Sequence, residues 1–207
     1  SGYGAEAYPN MTRFDWAVEL FPWFEYYLKG IGEEPASYVQ MQRNDGRWHL
    51  EETWPPEDIS ILELSADGGN QRVSSTSGGF EITLEISNGP IHISGLPTLH
   101  TDVTTGLCNG GQLFVTMKDG ESGLRLGHAT MDVRYRDGGY ESKATSSLSS
   151  YRMLMEFNPM DVIVPSGVIS LEFTESGEDY IPSPCAVSGL LVNSFDLGVP
   201  LIDRDEN

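Results

Sequence analysis

Hydrolysis through a serine needs an activated hydroxyl, a base beside it and donors for the oxyanion. The Gly-x-Ser-x-Gly turn that presents such a serine at the end of a strand is absent from these 207 residues. Its nearest approach, the run Gly120, Glu121, Ser122, Gly123, has the wrong spacing and reads as a hairpin turn. The four histidines, His49, His92, His100 and His128, all fall in or beside expected strands. His100 and Asp102 are two residues apart, on one face of one strand, where His100 has a carboxylate within range. A lone histidine on a sheet is more often a hydrogen-bonded structural residue than a base, so no catalytic residue is assigned. No His-x-His, His-Glu-x-x-His or clustered aspartate pattern occurs, so no metal ligand, cofactor site or cofactor is assigned. The aspartates at Asp67 and Asp137, each before two glycines, are turn chemistry.

Two cysteines, Cys108 and Cys185, stand far apart, and sequence leaves open whether they meet. Two thiols in a chain of this length read as reduced structural residues in a reducing compartment, which gives a cytoplasmic expectation. The net charge of −19, from 31 acidic and 12 basic residues, argues against nucleic acid and anionic membranes as partners. Only Lys29, Lys118 and Lys143 are lysines, and an acidic, lysine-poor surface fits either an ordinary acidic protein or one adapted to high salt. No apolar run approaches the ~20 residues a membrane helix needs.

The elements that must carry any site follow from periodicity. Thr12 is placed to cap a helix in which Phe14, Ala17, Val18, Phe21, Phe24 and Leu28 share a face. Pro22 interrupts that run, so a kink or a fresh start is expected there, and Gly30 and Gly32 end it. Beyond Tyr38 the chain reads as strands. Asn44, Asp45 and Gly46 mark a hairpin, Ile59–Leu64 a strand, and residues 68–79 a long surface loop. Clean alternation follows in Phe80–Ile86, Leu99–Thr104, Leu113–Met117, Tyr151–Phe157 and Val168–Thr174. About ten strands with glycine-rich turns, no βαβ rhythm and no short repeat predict an antiparallel sandwich.

Several stretches, taken in order, resemble one family. They are Ile93–Pro97 leading into Thr98–Asp102, the strand Gly110–Asp119, the run Leu126–Arg136 and the turn and strand Val164–Phe173. The helix end Trp23–Gly30, then Glu33–Gln42 with Arg47 and Trp48, extend the likeness over nearly the whole chain. Together they resemble the C-terminal, non-catalytic domain of the X-Pro dipeptidyl-peptidase and cocaine esterase family of serine hydrolases. The resemblance implies a jelly-roll β-sandwich of the galactose-binding-like kind over residues 37–207. It also implies that residues 1–36, with the aromatic helix, are the end of an α/β-hydrolase domain plus a linker. In that family the catalytic histidine comes just before the aromatic helix. Here Gly2–Pro9 holds no histidine and Glu6 stands near its place, so the parent histidine lies further upstream, is misaligned or is lost.

The expected role is therefore an accessory domain without its own triad, buttressing an upstream catalytic domain of the same polypeptide and walling its substrate entrance. Trp16, Phe21, Trp23, Phe24 and Tyr27 are the expected interdomain contacts, because a helix aromatic on more than one side needs more than one cover. The alternative is a carbohydrate- or ligand-binding module in which Trp48, Trp54 and Tyr140 stack on sugar rings. A third reading is a free-standing interaction protein whose helix docks a partner or a second copy.

Overall fold

The computed structural model of the chain describes residues 13–177 and 180–203. The chain forms two compact units, Ser1–Glu57 and Asp58–Asn207.

The first unit contains the helix α1 (Arg13–Phe24), whose last turn, Glu25–Lys29, widens to pairing five residues apart. The helix runs through Pro22 instead of restarting there. A proline removes one backbone donor, and here the irregularity follows it as the wide turn. Gly30, at φ 69°, closes the helix, and its N–H and that of Ile31 donate to the carbonyls of Tyr26 and Glu25 at 3.0 Å each. Strands β1 (Val39–Gln42) and β2 (Trp48–Glu51) form the expected hairpin. Asp45 in its turn accepts from Arg43 Nε at 3.1 Å and from the Arg47 backbone N–H at 3.0 Å.

The second unit is an all-β antiparallel jelly-roll sandwich. One sheet is built from β3 (Ser60–Val73), β5 (Ile91–Gly95), β6 (Thr98–Thr105), β9 (Ser150–Glu156), β10 (Met160–Val164) and β12 (Leu190–Leu201). The other is built from β4 (Phe80–Glu85), β7 (Gln112–Asp119), β8 (Arg125–Asp132) and β11 (Val168–Thr174), in the order β4-β11-β7-β8. The alternating residues point inward as their spacing predicts. Leu99 and Val103 of β6, Leu113, Val115 and Met117 of β7, and Met153 and Met155 of β9 are all fully buried. Phe173 of β11 stacks at 4.7 Å on its neighbour Phe80 within the sheet, and across the sheets it tilts against Phe195 of β12 at 5.3 Å.

Two expectations are corrected. Residues 68–73 are not loop but the second half of β3, which pairs with β12 as far as Val73 opposite Leu190. The register shifts between Val192 and Ser194, and Gly68 lies so close that a Cβ there would meet the Val192 carbonyl oxygen at 2.6 Å. The glycines that read as loop composition are those a bulge and a close backbone approach require. Nor are the cysteines reduced thiols: Cys108 and Cys185 are disulfide-bonded, with Cα atoms 5.6 Å apart. The strands on either side bring together residues that sequence places 77 apart.

Three tests follow from this architecture. Gly68→Ala forces β12 to move and is expected to cost about 1–3 kcal/mol of unfolding free energy in urea. Thr101, on the inner face of β6, is fully buried with a hydroxyl that has no hydrogen-bond partner. Thr101→Val is therefore expected to raise stability by about 1 kcal/mol. Asp45 is held at a pKa of about 2, chiefly by the hydrogen bond from Arg43 and then by the Arg47 backbone N–H, against the opposing effect of burial. An ordinary aspartate titrates near ~3.9, so this contribution is complete above that pH and is lost as pH falls toward the folded value. In acid melts the wild-type curve should drop relative to Asp45→Asn between about pH 4 and 2.

Candidate functional site

Most of the described aromatic side chains of α1 and its last turn are exposed. Phe21 is 64% exposed, Trp23 46%, Tyr27 51% and Leu28 71%, and Phe24 is also exposed. Trp23 and Tyr27, one turn apart, have ring centroids 5.0 Å apart, Trp23 meets Phe24 edge-on at 5.4 Å, and Tyr26 meets Tyr27 at 5.0 Å. These contacts join Trp23, Phe24, Tyr26 and Tyr27 into one cluster of rings. Tyr27 Oη donates to Glu34 Oε1 at 3.3 Å. Loss of solvent around it, then the Glu34 carboxylate, push the Tyr27 phenol above its ordinary pKa. Trp16 belongs to α1, but its side chain, like Glu6 and Thr12, lies outside the described residues. Apolar rings in water over two sides of one helix form a surface suited to burying apolar area against another body.

Of the three aromatic residues weighed for sugar stacking, two belong to the first unit and one to the second. Trp48, on β2, is 37% exposed, and Trp54 is half-buried after the hairpin. Tyr140 belongs to the second unit, in the loop between β8 and β9, and is fully exposed.

Groups with catalytic chemistry are engaged in structural pairings. His92 Nε2 lies 2.5 Å from Asp161 Oδ1, across neighbouring strands β5 and β10. Ser94 stands opposite Asp161 in register and is 2% exposed, so it offers no accessible nucleophile. His128 Nε2 is 3.0 Å from the Tyr180 hydroxyl, and its ring stacks on Phe114 at 5.3 Å. His49 is half-buried on β2. Asp102 accepts from Arg152 Nη1 at 3.0 Å, and Arg152 Nη2 also donates to Asp196 at 2.6 Å. Ser194 Oγ donates to Asp102 at 3.1 Å and Ser65 Oγ to Asp196 at 2.7 Å. The Arg152 hydrogen bond, followed by that from Ser65, holds the Asp196 carboxyl below its ordinary range. The sequence places Asp102 on one strand face with His100. The arginine that takes it lies on β9, paired to β6 in a register that periodicity does not reveal.

No family model matches the chain, and no curated protein does. Solved structures do. A CocE/NonD family hydrolase from Staphylococcus aureus superposes with a TM-score of 0.61 at 11% identity, over 92% of this chain and 46% of its own. An aminopeptidase from a marine sediment Thaumarchaeota archaeon gives 0.55 at 13% identity, over 92% of this chain and 44% of its own. An α-amino acid ester hydrolase gives 0.52 at 12% identity, over 88% and 42%. The architecture is shared with part of each hydrolase. This chain spans less than half the length of the proteins it resembles.

The His92–Asp161 pair yields a prediction. Asp161 is buried, so His92→Leu removes one of its partners in a place where water does not replace it. The expected loss is about 1–3 kcal/mol of unfolding free energy, read from the urea midpoint at constant m-value.

Proposed function

We propose that this chain is the accessory β-domain of a larger serine hydrolase, acting on peptides with a penultimate proline or on small esters and amides. The observation that carries it is the architectural match over about nine-tenths of this chain to less than half of three hydrolases. The uncovered aromatic surface of α1 supports it, because Phe21, Trp23, Phe24 and Tyr27 supply what a catalytic domain of the same polypeptide would bury. The role is structural: the sandwich buttresses that domain and walls its substrate entrance, while nucleophile, base and acid come from outside these residues. Among the described residues no helix is long and apolar enough to cross a membrane. A disulfide joining the β6–β7 crossing to the turn before β12 belongs with folding in an oxidising compartment and weighs against the cytoplasmic expectation.

The test compares the full-length polypeptide with the 207-residue chain on an Ala-Pro anilide and an acetate ester. Turnover by the full polypeptide and none by this chain is the expected result. Turnover by this chain that a substitution within it abolishes would sink the proposal. Phe21→Asp should leave the melting temperature of this chain within a degree or two and lower that of the full polypeptide by several degrees.

A further inference from the structure

The two long sides of the sandwich are finished differently. Phe173 and Phe195 set β11 against β12, and β8 lies against β9, so β3 and β4 are the outermost strands of the other side. On the β8–β9 side the Leu154 N–H donates to the Arg136 carbonyl at 2.9 Å, and the Asn158 N–H to the His128 carbonyl at 3.2 Å. The inward residues Ala129, Met153 and Met155 are buried there. On the β3–β4 side, among the described residues, no backbone hydrogen bond joins Ser60–Val73 to Phe80–Glu85. The inward residues Leu64, Ala66, Phe80, Ile82 and Leu84 are only half-buried.

Strand β3 pairs on one side only, with β12. From Ser60 to Asp67 its other edge presents unpaired peptide groups. Gly69 and Asn70, at φ 63° and 52°, then turn the chain out of extended conformation and end that edge. The devices that blunt an exposed edge are a lysine, a proline or an inward-pointing charge. Ser60–Asp67 contains no lysine and no proline, and its inward residues are Leu62, Leu64 and Ala66. The outward face is acidic, with Glu63 and Asp67 on β3 and Glu81 and Glu85 on β4. Lys118 meets Glu81 at 3.6 Å, whereas among the described residues Glu63, Asp67 and Glu85 have no cationic partner.

We infer that the β3–β4 side is a strand-addition site, and that its occupant is a cationic extended segment of a separate polypeptide. Such a segment pairs its backbone with Ser60–Asp67. Its side chains alternate, so apolar ones turn inward toward Leu64, Ala66 and Ile82 while lysines or arginines turn outward toward Glu63, Asp67 and Glu85. Charge selects this occupant. A second copy laying its own β3 antiparallel on this edge would bring Glu63 and Asp67 of the two chains together, and like charges across strands destabilise the pairing. A net charge of −19 repels nucleic acid and anionic membranes as well. Backbone pairing holds any extended chain, and the carboxylates decide which chain is admitted. The site lies within the second unit and does not depend on the accessory-domain reading.

Hydrogen–deuterium exchange of the 207-residue chain, with and without an excess of a short peptide alternating lysine and valine, tests this. Amide exchange over residues 60–67 should slow several-fold, while residues 98–105 of β6, paired on both sides, do not change. The matching peptide of glutamate and valine should have no effect. Replacing both carboxylates, Glu63→Lys with Asp67→Lys, should abolish the response to the lysine peptide and leave the melting temperature within a degree or two. No slowing with the lysine peptide overturns the inference, and so does equal slowing by the glutamate peptide. Equal slowing by a lysine peptide methylated on every backbone nitrogen, which cannot add as a strand, also overturns it. Exchange over 60–67 that slows as the chain alone is concentrated assigns the edge to a second copy. Slow exchange there in the full-length polypeptide without peptide means that the polypeptide covers its own edge. Either result overturns the assignment to a separate cationic chain.

Discussion

Phe195 and Phe173 face each other at 5.3 Å across the two sheets, and the rest of the sandwich depends on that meeting. Phe195 lies on β12, which pairs with β3 on one side and β6 on the other. Phe173 lies on β11, which holds β4 and β7 in the same way and stacks on Phe80. Each ring therefore anchors a strand that organises its sheet. A sheet has one apolar face to bury, and two such faces pressed together are the solution available to a unit with no α-helix among its described residues to cover them. Once β11 and β12 oppose, alternation along every other strand decides which side chains go inward.

The bulge in β12 and the crossings between sheets concentrate irregular backbone at one end of the sandwich. Strand β6 belongs to one sheet and β7 to the other, so the chain changes layer between Thr105 and Gln112. The disulfide sits on that crossing and ties it to the turn that feeds β12. In the chain-entropy account, a cross-link over a separation of this size is worth about 4.5 kcal/mol through restriction of the unfolded chain. Its position means the restriction falls on residues whose backbone carries the least regular pairing. The same clamp allows Leu148, whose N–H donates to the Gly106 carbonyl, to keep a φ of 55° that an unrestrained loop would relax.

Where periodicity speaks, the sequence is legible. Leu99, Thr101 and Val103 on β6 and Leu113, Val115 and Met117 on β7 point inward because their spacing leaves no other choice. It fails where a residue type has two physical meanings. Gly68 and Gly69 read as loop because glycine frees the backbone, yet Gly68 is needed for the opposite reason, to let Val192 approach. Pro22 reads as a break because it lacks a donor, but one missing bond costs a well-formed helix less than ending it would, and the turn after it widens. Pairing between distant strands is silent in any local window. That is why Arg152 between Asp102 and Asp196, and the union of Cys108 with Cys185, emerge only from the fold.

Of the candidate site, the aromatic helix is legible in the sequence by its residue types and spacing, and Phe21, Trp23 and Tyr27 are exposed on it. The acidic composition is plain from the sequence, but the pairing of individual carboxylates is not: Asp102 and Asp196 meet Arg152 because β6 lies between β9 and β12, a neighbourhood that no local window of sequence contains.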